Sequence, residues 1–171
     1  LKPVSETPTE PAHYAALSLA YGSLLAGLAA SARHREPIPA RELAPLAAAT
    51  FALSKLVVRE KVETWVRGPF VEERPGGDRQ PRGEGLRYAV GELLTCTRCM
   101  GAWSALGLVG LRVHSPAAGR AVTSVLAASA GNDFLHAGFQ WACSKSNRAS
   151  TRAEAAEARV QRDPDPEPAQ L

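Results

Sequence analysis

Ala12-His-Tyr-Ala-Ala-Leu-Ser-Leu-Ala-Tyr-Gly-Ser-Leu-Leu-Ala-Gly-Leu-Ala-Ala-Ser-Ala32 is a run of 21 residues without one Asp, Glu, Lys or Arg. As a helix rising ~1.5 Å per residue, it matches the ~30 Å hydrocarbon core of a bilayer. Ser18/Gly22, Ser23/Gly27 and Gly27/Ser31 are small residues four apart, a spacing that lets helices approach closely. Two other readings compete with a membrane span. One is an Ala-rich buried helix of a soluble bundle. The other is the core of a cleaved signal peptide, but the preceding segment is nearly neutral (Lys2, Glu6, Glu10). The run also exceeds the usual ~7–15 apolar residues of such a core, so it reads as retained.

Three further apolar stretches follow. Residues 43–58 carry one charge, Lys55, three residues from the end, where a long side chain can snorkel to the headgroups. Residues 88–111 hold only Glu92 and Arg98, and 121–143 only Asp133. Of the chain's 20 Lys and Arg, only Lys55 and Arg98 fall inside the four stretches, so the charges are strongly segregated. The expected fold is all-α, a small helical membrane protein with three to four transmembrane helices. Residues 1–11, with three prolines, read as a disordered lead-in. Residues 59–87, rich in charge, Pro and Gly, read as a loop that is flexible in its second part. Residues 144–171 read as a polar, largely disordered tail, briefly helical at most.

With four spans, both termini and the 59–87 loop share one side. That loop alone carries seven Lys and Arg, against five for the two short turns on the other side. The positive-inside rule then places the loop and both termini in the cytoplasm of a multi-pass cell-membrane protein. Tyr14, Trp65, Tyr88 and Trp141 fall near helix ends on that side, as an interfacial belt requires. Arg98 and Asp133 come out at nearly equal depth, about 15 and 12 Å from the cytoplasmic boundary. A lone charge there costs at least ~2.5 kcal/mol, so Arg98–Asp133 is an expected ion pair. Lys55 and Glu92, both about 5 Å deep, form a second by the same logic.

Cys96-Thr97-Arg98-Cys99 is a CxxC whose sulfurs share one helix face. Three roles stay open: tight helix packing, thiol–disulfide exchange, and metal ligation by Cys96 and Cys99. A closed zinc site wants four ligands, and no second spaced pair exists. No βαβ redox pattern surrounds the motif. Three cysteines in all rule out a disulfide-stapled domain. A net charge of +3 and 6% aromatic residues give no basic, aromatic-lined surface, so nucleic acid is not an expected partner. No P-loop, dinucleotide fingerprint, HExxH or GxSxG occurs. His136, three residues after Asp133, reads as part of a polar helix-tying cluster, and Gly107 and Gly110 as close-packing positions.

Phe51-Ala-Leu-Ser-Lys-Leu-Val-Val, Lys61 to Trp65 and Arg67-Gly-Pro-Phe70 resemble the opening of the DUF1360 family of small bacterial membrane proteins. Gly91-Glu-Leu-Leu-Thr-Cys96-Thr-Arg-Cys99-Met-Gly101-Ala-Trp103 is similar to its signature, a Gly-Glu-Leu-Leu lead into Cys-x-x-Cys-x-Gly-x-Trp. The resemblance covers about residues 46–140. A position between the cysteines that is often aromatic in the family is Arg98 here, and the helix at 12–32 is an addition to the family pattern. The resemblance implies an uncharacterised integral membrane protein and supplies no reaction. The expected function is a non-enzymatic structural or partner-binding membrane component without a cofactor. Its expected partners are the lipid bilayer and a second copy or another membrane protein. The alternatives are a membrane thiol-redox protein using the CxxC, and a soluble Ala-rich helical bundle.

Overall fold

A computed structural model of the chain describes residues 3–162. Helix α1 spans Pro11–Ala32. Proline at its first turn costs no hydrogen bond, because that N–H has no intrahelical partner. The Glu10 N–H just before it donates to His13 Nδ1 at 3.0 Å. Pro37 and Pro39 keep the following link extended. Helix α2, Leu43–Arg59, buries Leu46, Ala49, Ala52, Ser54 and Val58, so it is covered on more than one side.

The segment expected to be a loop is built. A short helix α3, Thr64–Arg67, leads into strands β1, Val71–Glu73, and β2, Arg79–Pro81. They pair antiparallel, Val71 opposite Pro81 and Glu73 opposite Arg79. The turn between them runs through Gly76 and Gly77 at φ 96° and 84°, a left-handed backbone that other residues resist. Composition alone suggested flexibility here. The same glycines are what lets the chain reverse.

Residues 88–111 were expected as one helix, and the structure corrects this to two. Helix α4 covers Gly85–Thr95 and α5 covers Thr97–His114, with Cys96 extended between them. Leu46 and Ala49 of α2 and Leu108 of α5 form a core cluster, joined by Ile38, Leu53, Leu126 and Ala127. Ser104, Leu108 and Arg112, each four apart, are the buried face of α5.

Helix α6 runs Pro116–Arg162. The helix continues through residues 144–162, part of the tail expected to be mostly disordered; 163–171 and residues 1–2 lie outside the described residues. Its Ala, Glu and Arg content favours helix even where nothing apolar repeats. Two compact units divide the chain after Gly131. The first holds α1 to α5, the hairpin and the start of α6. The second is helical, and Lys145 Nζ lies 5.2 Å from the centroid of the Trp141 ring.

Among the described residues α1 alone is long and apolar enough to cross a membrane. The other three expected spans fall short of that standard. Helix α2 has only 17 residues, α5 carries Arg98, Arg112 and His114, and α6 mixes apolar and charged stretches.

Candidate functional site

Cys96 stands where the backbone leaves helix α4 and has not yet entered α5. Its Sγ accepts the Cys99 N–H at 3.2 Å, as a serine hydroxyl would at this N-cap. The sulfur therefore sits on one of the unpaired N–H groups that open α5, at the positive end of its dipole. Cys96 is half-buried and Cys99 exposed. Both line a groove of about 460 Å³ between α1, α4 and α5, with Tyr14, Tyr21, Glu92 and Trp103 also on its wall.

Polar and aromatic contacts hold α1 across that groove. Thr9 Oγ1 donates to the Tyr14 hydroxyl at 3.1 Å, and Tyr14 donates to Glu92 Oε2 at 2.5 Å. The Tyr21 and Trp103 rings meet edge to face, centroids 5.4 Å apart. A second hollow, also about 460 Å³, continues beyond Trp103 past Gly27, Gly107 and Gly110. A Cβ placed on any of these three glycines would meet nothing within 4 Å, nor would one on Gly22. The reading of Gly107 and Gly110 as closely packed is thus corrected. They border open space.

Of the residues in the expected ion pairs, Lys55 has its Nζ 3.5 Å from Glu60 Oε1, and Glu92 Oε2 accepts from the Tyr14 hydroxyl. Arg98 is exposed in the first unit and Asp133 belongs to the second. Among the described residues no three His, Cys, Asp or Glu side chains converge to hold a metal ion.

The best-made polar cluster is one the sequence reading passed over. Arg67 is fully buried. Its Nη1 donates to the Val57 carbonyl at 2.5 Å, and its Nη2 to the Glu60 carbonyl at 2.9 Å and Glu73 Oε1 at 2.8 Å. Arg79 Nη1 and Nη2 donate to the Val58 and Arg59 carbonyls. The carbonyls at the end of a helix have no partners within it, and here two guanidinium groups take them up. Glu73 answers both charges, with Arg79 Nε 3.5 Å away. The Arg67 hydrogen bond holds the Glu73 carboxyl below its ordinary 4.5. At the other end of α2, Glu42 receives Arg112 of α5 in a two-pronged pair at 2.6 and 3.1 Å. A run of mixed charges around Pro75-Gly76-Gly77-Asp78 was the available signal, read only as a solvated loop.

A family model described as a protein of unknown function, DUF1360, matches residues 45–139. The chain belongs to the DUF1360 family. The matched span opens within α2 and takes in the arginine cluster, the CxxC and the α2–α5 core, while α1 lies before it. No curated protein and no solved structure matches the chain. Within this DUF1360 chain, Arg67 and Gly91 of the quoted motifs have structural duties. A Cβ on Gly91 would come 2.5 Å from the Phe70 carbonyl oxygen and 2.9 Å from Pro81 Cβ, so the hairpin rests directly on the α4 backbone.

Proposed function

We propose that this DUF1360 chain is a helical membrane protein in which α1 spans the bilayer and the shorter apolar stretches, each below that standard alone, complete three to four spans beside it, and that it serves as a non-enzymatic, partner-binding membrane component. With four spans, its termini and the hairpin segment lie on the cytoplasmic side. The observation that carries the reading is α1: 22 residues without one Asp, Glu, Lys or Arg, and none of them buried. Leu19, Leu24 and Leu25 are all exposed. Apolar surface on this scale is stable against lipid or another apolar surface and costly in water. The hydrogen bond from Tyr14 to Glu92 ties α1 to residues far along the chain, which supports a retained helix rather than a removed leader. The open glycines on α1 and α5 support partner binding, since bare backbone is what a second membrane helix packs against.

Alkaline carbonate washing of membranes from cells making the full chain tests this. The expected result is a protein that stays in the pellet and leaves it only with detergent. A cysteine placed at Gly76 in a cysteine-free variant is expected to react with an impermeant maleimide only after the cytoplasmic face is opened. A chain that washes off, or remains monodisperse without any amphiphile, overturns the reading.

A further inference from the structure

Of the three roles open to the CxxC, the structure disfavours two. A cysteine kept for tight packing is buried between elements, whereas Cys99 is exposed and Cys96 half-exposed on an open groove. A metal site needs a third ligand, and among the described residues none converges there. What remains is a pair of sulfurs one helical turn apart. The Cys96 sulfur already rests on the Cys99 backbone N–H at 3.2 Å, so the two side chains start side by side at the head of α5.

We infer that Cys96 and Cys99 form a reversible dithiol–disulfide centre that reacts with organic disulfides reaching the groove, Cys96 attacking and Cys99 resolving. The roles follow from geometry. The Cys96 sulfur receives the Cys99 backbone N–H at the start of an 18-residue helix, which stabilises its thiolate over its thiol. Arg98, exposed beside it, adds positive charge. The Cys96 thiolate attacks one sulfur of a disulfide RSSR, forming a Cys96–SR mixed disulfide and expelling RS⁻, which takes up a proton. Cys99 then loses its proton to water and attacks Cys96 Sγ, closing the Cys96–Cys99 bond and releasing the second RS⁻, protonated in turn. The protein gives up two electrons and two protons, and RSSR becomes two RSH. In a reducing compartment the dithiol is the resting form, and excess RSH returns the centre to it.

The test uses the full chain in detergent, equilibrated with oxidised and reduced glutathione, acid-quenched and mass-tagged at free thiols. The expected result is a disulfide joining Cys96 to Cys99, formed at oxidising ratios and lost at reducing ones. In Cys99→Ser a Cys96–glutathione adduct accumulates. In Cys96→Ser, Cys99 reacts at least ~10-fold more slowly than Cys96 does in Cys99→Ser, because only Cys96 is activated. Serine caps a helix as well as this sulfur does, so both variants are expected to fold, which circular dichroism checks. No Cys96–Cys99 disulfide at any ratio, equal rates for Cys96, Cys99 and Cys143, or zinc bound stoichiometrically by the two cysteines would each overturn the inference. None of these outcomes depends on whether the chain lies in lipid.

Discussion

Arg67 shows what a single side chain does when it is placed against the end of a helix. Replacing it with Met keeps much of its apolar stem, strands the Val57 carbonyl and leaves the Glu60 carbonyl only the Glu63 N–H at 3.4 Å. An acceptor shielded from water and left without a donor costs about 1–3 kcal/mol, so thermal unfolding in detergent is expected to show a loss of several degrees. Arg67→Lys restores charge without the planar fork and should recover only part of it. Glu73 makes the same cluster sensitive to acid. Its carboxyl titrates below the ordinary 4.5 when folded, so the unfolded chain takes up protons first as pH falls. The stabilisation is complete above about pH 4.5 and drains away as pH falls through the folded value. Stability measured from pH 6 down to pH 3 should decline over the lower part of that range, and Glu73→Gln should flatten part of the decline. Glu42, held down by Arg112, adds a decline of the same sign. None of this was legible in the sequence. Seven basic and six acidic residues in 59–87 look like any solvated loop, and which arginine turns inward is fixed by where the hairpin lies.

Among the elements, the starts and ends of α1 and α2 were readable to within a residue or two. Charge and proline mark them, and both act locally. The division of α4 from α5 was not readable. Residues 88–111 are apolar on both sides of Cys96, and the break comes from a thiol capping a helix, an event with no hydropathy signature. The glycines separate the same way. Gly91→Ala should lose stability despite the ~1 kcal/mol that alanine offers a helix, since its methyl would strike the Phe70 carbonyl and Pro81. Gly107→Ala should be neutral or stabilising by up to that ~1 kcal/mol, as its methyl meets nothing. Melting curves of the two variants side by side check the contrast. Sequence shows two glycines on apolar helices and cannot tell which has a neighbour.

Within the first unit, α2 and α5 run antiparallel, because the start of one meets the end of the other at Glu42 and Arg112. Reading the two stretches as consecutive spans on either side of the 59–87 segment already implied that arrangement. The particular bond that fixes it was hidden among ordinary turn residues. Arg112 has little exposure, so reversing either charge alone sets two like charges against each other and should lower the unfolding temperature clearly. Glu42→Arg with Arg112→Glu should regain most of that. A small part stays lost, because arginine at a helix start and glutamate at a helix end both oppose the dipole. Unfolding of the two single variants and the double variant gives the comparison.

Arg67 and Arg79 reach back from the hairpin to finish a helix they do not belong to. An engineer who transplants α2 into another scaffold must therefore carry residues 60–79 with it. A graft cut at Arg59 arrives with bare carbonyls and frays from that end, however well its apolar face fits the new host.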